Sequence, residues 1–342
     1  MRPLFRAAAG AALDGFRAVP RSFRDRRTAT SSQSGPDVES IPAAELGDRI
    51  FCFGGEFGYE LLSWLPFIHH VAHETGLGLR TASRPGSSPF YAFSSSHQEV
   101  PFRWRPDCFG TVESNDFFRR VFGDAAIIPQ NPSKRGSIEL VVAGIPWEHR
   151  WIHKRLVATS YRPLAFPGAR ASFLPASIPI AIINNKDFDN WGNTDPLLRE
   201  AFLPPELEQL RDALLARGFF VVYHRFDEEV PEARFALDDD GLFDRPGCLD
   251  MRQIYARSDV PRKRTEQQLA LYRSASLAIC PQGGNSFLPI MLGVRTIVLM
   301  KSVRLVEYQD LERIYGTRVD VHTSVRSILS AVQHDPDLAP SE

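Results

Sequence analysis

The stretch that most limits what this chain can fold into is residues 277–300, LAICPQGGNSFLPIMLGVRTIVLM. Leu277, Ala278, Ile279 and Cys280 form a short apolar run, Pro281 to Ser286 break it, and Thr296 to Met300 resume it after Gly293. Two short buried strands joined through a helix form a parallel pair, since parallel neighbours need a crossover connection. Gly283 and Gly284 let the backbone turn tightly and approach a ligand closely. Asn285 or Ser286 can cap the helix, with Pro289 tolerated in its first turn. An anion held there meets free N–H groups and the positive end of the helix dipole. The same pattern also serves as a plain strand-to-helix turn in any α/β protein.

A related turn opens the folded region. Residues 49–53 read as a strand running into Gly54, Gly55, Glu56, Phe57 and Gly58. From Tyr59 to Thr75 the apolar positions Leu61, Leu62, Trp64, Leu65, Ile68, Val71 and Ala72 recur at helical spacing until Gly76. Further strands are expected at 79–83, 125–129 and 138–143, with a short helix at 116–122. Residues 161–179 hold four prolines and no period, which marks a linker. A second series follows: a strand at 180–183, a helix at 205–217, a strand at 219–223, a helix at 265–275, the 277–300 unit, and an amphipathic helix at 324–333.

Strands alternating with helices in both halves predict an α/β protein of two doubly wound, Rossmann-like lobes facing across a cleft. With 342 residues there is enough chain for two cores. The expected divisions are a basic flexible tail over 1–45, a first lobe over 46–165, a second lobe over 166–322, and a terminal helix and tail over 323–342.

Lys plus Arg is 40 and Asp plus Glu is 41, so a net charge of −1 gives no general attraction to a nucleic acid polymer. Any anion specificity is therefore local. The first 27 residues carry seven arginines against two aspartates. They fit a basic amphipathic helix on a membrane surface, a targeting peptide or a disordered tail. No run approaches the roughly 18 to 20 apolar residues that cross a bilayer. Cys52, Cys108, Cys248 and Cys280 are widely spaced, which suits reduced thiols and a cytoplasmic location, peripheral at the inner membrane face where the tail touches lipid.

Ligands of such sheets bind beyond the carboxyl ends of the strands, where both glycine turns fall. The turn of Gly54, Gly55 and Gly58 leaves room for a substrate beside backbone, and Glu56 is its one ionisable side chain. Glu56 is the candidate general base, provided burial raises its pKa; its alternative role is a carboxylate on the N–H groups of the next helix. In the second lobe, Asn184, Asn185 and Lys186 end one strand, and His224 and Arg225 end another. Lysine neutralises phosphate as a point charge, arginine offers a fork, and asparagine bonds a sugar. Two cations at strand ends beside Gln282, Gly283, Gly284, Asn285 and Ser286 suggest one diphosphate site.

Metal chemistry has little support in the sequence. Asp238, Asp239 and Asp240 lack the spacing of a calcium loop and read as part of a solvated excursion, or lid, over 225–241. His69, His70 and His73 lack the glutamate of a zinc protease helix and read as surface or cleft-lining residues. No GxSxG elbow and no GxxxxGK[ST] loop occurs.

The GGEFGYELLSWLPF turn at 54–67, paired with PQGGNSFLPIMLGVRTIVL at 281–299, resembles the two-Rossmann glycosyltransferase architecture called GT-B, closest to its fucosyltransferase-like branch. The similarity spans most of 46–334. It implies a metal-independent enzyme without cofactor, a carboxyl-terminal lobe that binds a nucleotide-diphosphate sugar, and an amino-terminal lobe that receives a glycan or lipid-linked acceptor. It carries Gly283, Gly284, Asn285 and Ser286 to the donor diphosphate, Arg225 or Lys186 to countercharge, and Gly54, Gly55 and Glu56 to the reacting centre. Fucosyltransferases of this type show a His, Arg and Asp cluster where this chain reads INNKDFDNW, so neither the donor nor the cation is fixed. The competing readings are a polysaccharide pyruvyl transferase on the same architecture and a non-catalytic nucleotide- or glycan-binding module.

Overall fold

The computed structural model describes residues 46–101, 112–128, 138–140, 145–147, 164, 170–187, 200–226, 235–257, 260–301 and 308–338. The basic tail, Cys108 and the segment after Asp187 that begins FDNW fall outside them. Two parallel sheets carry the architecture. The first joins β1 (Ile50–Cys52), β2 (Arg80–Ser83), β3 (Ser96–Glu99) and β4 (Ala126–Ile127) in the order β3-β2-β1-β4. The second joins β7 (Ile180–Lys186), β8 (Phe220–Phe226), β9 (Cys248–Asp250), β10 (Leu277–Pro281), β11 (Arg295–Leu299) and β12 (Val319–His322) in the order β12-β11-β10-β7-β8-β9. A separate antiparallel pair, β5 (Ile138–Leu140) with β6 (Ile145–Trp147), lies between them in sequence.

In both parallel sheets the order reverses beside the first strand: between β1 and β4, and between β7 and β10. These reversals are the switch points at which open α/β sheets bind ligands. Each glycine turn leaves a strand at one of them. After β1 comes helix α1, built as Phe57–Tyr59, a π-helical Glu60–Trp64 and Leu65–Thr75, closed by Gly76 in the left-handed conformation at φ 67°. After β10 comes α6 (Gly284–Met291); the other helices are α2 (Val112–Phe122), α3 (Pro204–Ala216), α4 (Met251–Tyr255), α5 (Pro261–Ser274), α7 (Tyr308–Tyr315) and α8 (Val325–His334).

The pleat explains why a continuous apolar run suits a central strand. Ala181 and Ile183 of β7, with Val221 and Tyr223 of β8, face a core closed by α3 and α8. Ile180, Ile182 and Val222 face the opposite way, into a cluster that also holds Phe51, Phe57, Trp64 and Phe67 of the first lobe. One apolar cluster therefore crosses between the two sheets. Its centre is aromatic, with Trp64 5.7 Å from Phe53 and 5.4 Å from Phe67. Each such side chain contributes roughly 1.5–3 kcal/mol by leaving water. Among the described residues, no helix is long and apolar enough to cross a membrane.

Candidate functional site

The two turns meet. A Cβ built on Gly58 would lie 3.3 Å from Gly284 Cα, and one built on Gly284 would lie 3.0 Å from Gly58 N and 3.2 Å from its Cα. The backbones are in direct contact, so nothing fits between these two residues. This corrects the expectation that the first turn admits a substrate: Gly54, Gly55 and Gly58 are all buried. Glycine at 58 and 284 is required by the neighbour, whereas Gly283 is required by its own φ of 125°. Glu56, half-buried, is the N-cap residue of α1 and makes no side-chain capping hydrogen bond, which leaves its carboxylate out of the helix-capping role.

In the second turn the helix begins earlier than its sequence suggests. Gly283 is the N-cap, so Pro289 lies inside α6 and not in its first turn. Proline lacks the N–H that would bond the carbonyl four residues back, at Asn285. Asn184 supplies the missing donor: its Nδ2 reaches Asn285 O at 3.1 Å and Tyr272 Oη at 2.8 Å, while its Oδ1 lies 3.0 Å from His224 Nδ1. Asn185 is equally committed, with Nδ2 donating to Phe202 O at 3.0 Å and Oδ1 accepting from Phe202 N at 2.9 Å. Both asparagines have zero exposure. They hold the fold in place and present no surface to a sugar, which corrects the role the sequence suggested.

Ser286 is also fully buried, its hydroxyl 2.7 Å from both Gly283 O and Tyr308 Oη. Tyr308 Oη in turn accepts from Gly283 N at 3.3 Å. Gln282, 3% exposed, donates from Nε2 to the buried Glu200 at 3.0 Å. Lys186 remains beside the turn: its Nζ donates to Gln282 O at 3.4 Å and would lie 4.0 Å from a Cβ on Gly283. Gly283, Gly284 and Asn285 are the half-exposed part of the turn, and N–H groups in a helix's first turn have no partner within the helix.

Arg225 goes elsewhere. In register it pairs with Asn185, whereas Lys186 pairs with Phe226, so Arg225 and Lys186 leave opposite faces of the sheet. Arg225 Nη1 donates to Asp239 Oδ1 at 2.7 Å, and Arg252 Nη1 reaches the same oxygen at 3.2 Å. Tyr223 Oη donates to the other oxygen of Asp239, and Asp250 grips Arg252 through Nε at 2.9 Å. Asp239 has zero exposure, which overturns its reading as part of a solvated loop. The aspartate triplet carries one structural carboxylate, flanked by the exposed Asp240.

Arg225 and Arg252 line a cavity of about 360 Å³ together with Arg84, Phe90, His224, Tyr255, Ala256, Arg264, Thr265 and Gln268. Arg84 and Phe90 come from the first lobe, so the cavity bridges both. Arg84 follows β2, lies 4.5 Å over the Phe57 ring, and is held through Nε by Glu60 at 3.4 Å. Glu60 itself is fully buried, bonded by Ser83 Oγ at 2.6 Å and Tyr91 Oη at 2.7 Å. Burial first, then the charge of Glu60, pushes the Tyr91 phenol upward and keeps it neutral. Burial likewise lowers His224 to about 4, opposed by Asp250, so its ring is neutral at physiological pH. Because Asn184 Oδ1 is an acceptor, His224 Nδ1 carries the proton. The lobes touch again at Gly86, φ 85°, where a Cβ would meet Pro261 O of α5 at 3.1 Å.

Sequence reading missed Glu60, Arg84, Gly86, Arg252 and Arg264. The available signals were weak: a glutamate on the apolar side of a helix, and an RPGSSP turn after a strand.

No sequence-family model matches this chain, and no curated protein matches it. Among solved structures it is similar to the glycosyl transferase family 9 protein of Veillonella parvula DSM 2008, with a TM-score of 0.52 and 10% identity over 84% of this chain and 89% of that one. It is also similar to E. coli ADP-heptose LPS heptosyltransferase II, with a TM-score of 0.47 and 13% identity over 84% of this chain and 99% of that one. A third is E. coli heptosyltransferase WaaC with ADP, with a TM-score of 0.47 and 12% identity over 83% and 99%. The family 9 match places this chain in the two-lobed GT-B fold.

Proposed function

We propose that this chain is a glycosyltransferase that moves a sugar from a nucleotide-diphosphate donor to a glycan or lipid-linked acceptor. The observation that carries the reading is the β7–β10 switch point, where Lys186 stands 4.0 Å from the Cβ position of Gly283 at the start of α6. The N–H groups of Gly284 and Asn285, the helix dipole and Lys186 supply the countercharge of a leaving diphosphate. In this reading the rate does not depend on an added metal. Gln282 and Ser286 shape the turn from behind, and Arg225 acts in the neighbouring cavity.

Glu56 is assigned the general base that accepts the acceptor proton as the sugar inverts. It stands on the first-lobe side of the contact between Gly58 and Gly284, one residue before the Phe57 that supports Arg84. A lipid-linked acceptor would bring the chain to the inner face of a membrane, where the seven arginines of its first 27 residues meet anionic lipid.

The test is a panel of uridine-, guanosine- and adenosine-diphosphate sugars, including hexoses, fucose and heptose, followed by thermal shift and by donor turnover. A nucleotide at about a hundred times its Kd raises stability by about 2.7 kcal/mol. Glu56→Gln is expected to lower turnover at least about a hundredfold, with donor affinity retained; a near-normal rate removes the base assignment. Chelation is expected to leave turnover unchanged. Stabilisation by phosphoenolpyruvate in place of every nucleotide would favour pyruvyl transfer, and no shift with any of them would favour a non-catalytic module.

A further inference from the structure

The four-arginine cavity lies apart from the glycine turn assigned to the diphosphate. β8, which supplies His224 and Arg225, lies two strands from β10, so the cavity begins about 10 Å from the glycine turn. Among the described residues its charge is one-sided: Arg84, Arg225, Arg252 and Arg264 line it, and no described carboxylate does. Glu60, Asp239 and Asp250 stand behind the arginines and fix their positions, one from the first lobe and two from the second. Guanidinium groups donate and never accept. Sugar hydroxyls need acceptors as well as donors, so a cavity built this way fits an oxyanion better than a neutral glycan.

Further observations bear on what the cavity can hold. Gln268, 7% exposed, lines the cavity beside Tyr272, and Arg225 Nε is buried with no hydrogen-bond partner among the described residues. Buried donors left unpaired are uncommon and call for an explanation. Lys263, adjacent in sequence to Arg264, is also exposed. The volume of about 360 Å³ holds a phosphoryl group with part of a sugar ring.

We infer that this cavity binds an oxyanion carried by the acceptor, a phosphate or a carboxylate, clamped between Arg84 of one lobe and Arg225, Arg252 and Arg264 of the other. The assignment to the acceptor rests on the transfer reading; the anion site itself does not. Phe90 and Tyr255 form the apolar walls against which the group carrying the anion packs. His224, neutral and fixed by Asn184, adds no charge of its own.

The experiment is calorimetric titration of the full chain with inorganic phosphate, malonate and a neutral disaccharide, each with and without a saturating nucleoside diphosphate. Phosphate or malonate is expected to bind and the disaccharide not to bind. Arg264→Gln, at an exposed position, and Arg84→Gln should each weaken anion binding about tenfold or more, whereas Arg119→Gln, exposed and outside the cavity lining, should leave it unchanged. Tighter phosphate than malonate identifies a phosphorylated acceptor, and the reverse identifies a carboxylate. The inference is overturned if neither anion binds, if both arginine variants bind as the parent does, or if a nucleoside diphosphate displaces the anion competitively. Anion binding that persists when no nucleotide binds would sink the donor reading and leave the cavity assignment standing.

Discussion

The turns after β1 and β10 occupy the same place in their sheets and carry side chains of opposite charge. Each leaves the strand beside a switch point, and they touch at Gly58 and Gly284. Beyond the contact they diverge: the first turn holds Glu56 and leads into Glu60, the second stands against Lys186. A shared strand-turn-helix pattern fixes where a site lies, while the neighbouring strand decides what it can hold. In the proposed transfer reading, the first lobe would offer a carboxylate to a proton, and the second a cation and helix dipole to an anion.

Removing the carboxylate that anchors each lobe's arginines is the severest way to test this division. Glu60→Ala strands Arg84, Tyr91 and Ser83, and Asp239→Ala strands Arg225 and Tyr223, while Arg252 keeps Asp240 and Asp250. Each is expected to cost about 3–5 kcal/mol in urea unfolding, since a buried charge loses its partner. Because one apolar cluster crosses both sheets, a single transition is expected; two separate transitions would show that the lobes unfold independently.

Next in size are the glycines at the contact. Gly58→Ala and Gly284→Ala each force backbone against Cβ and should cost about 1–3 kcal/mol, with a double mutant that falls short of their sum. Additive losses would mean that the backbones part freely. Gly283→Ala, strained by φ 125° and not by its neighbour, should cost about 1–3 kcal/mol and add independently.

Of similar or smaller size is the response to acid, with a buried His224 in one lobe and a half-buried His97 in the other. Burial lowers His97 and His224 to about 4, so near pH 5 the unfolded chain binds protons that the folded chain refuses. Stability present above about pH 6.5 is therefore lost as pH falls toward 4, by up to about 3 kcal/mol for the fully buried His224 and less for His97. His224→Asn should flatten the pH dependence of the unfolding midpoint; an unchanged slope would remove His224 as a source. The exposed Arg262–Glu266 pair is the control, and Glu266→Gln is expected to move stability by less than about 0.5 kcal/mol.

What the sequence made legible follows from periodicity. The strands now seen at Ile50–Cys52, Ile180–Lys186, Leu277–Pro281 and Arg295–Leu299, and the helices at Pro204–Ala216 and Val325–His334, were each expected within a few residues. Their apolar residues repeat on a buried face, and that pattern is local. β3, reading SHQE, and β12, reading VDVH, were missed because edge strands carry polar side chains. The site was less legible for a different reason. Asp239 is separated by 14 residues from Arg225 and 13 from Arg252, and Glu60 by 31 from Tyr91; pairings of that span leave no period to read. Lys186 and Arg225 looked equivalent because each ends an apolar strand, and only the register shows that they leave opposite faces.

Pro289 leaves one carbonyl of its helix without a partner, and the side chain that answers it also fixes the histidine at the rim of the arginine cavity. Asn184 is thus a keystone: fully buried, it ties the start of α6 to the histidine beside the arginine cavity. Asn184→Leu would be expected to disturb nucleotide and anion affinity together, although position 184 touches neither ligand.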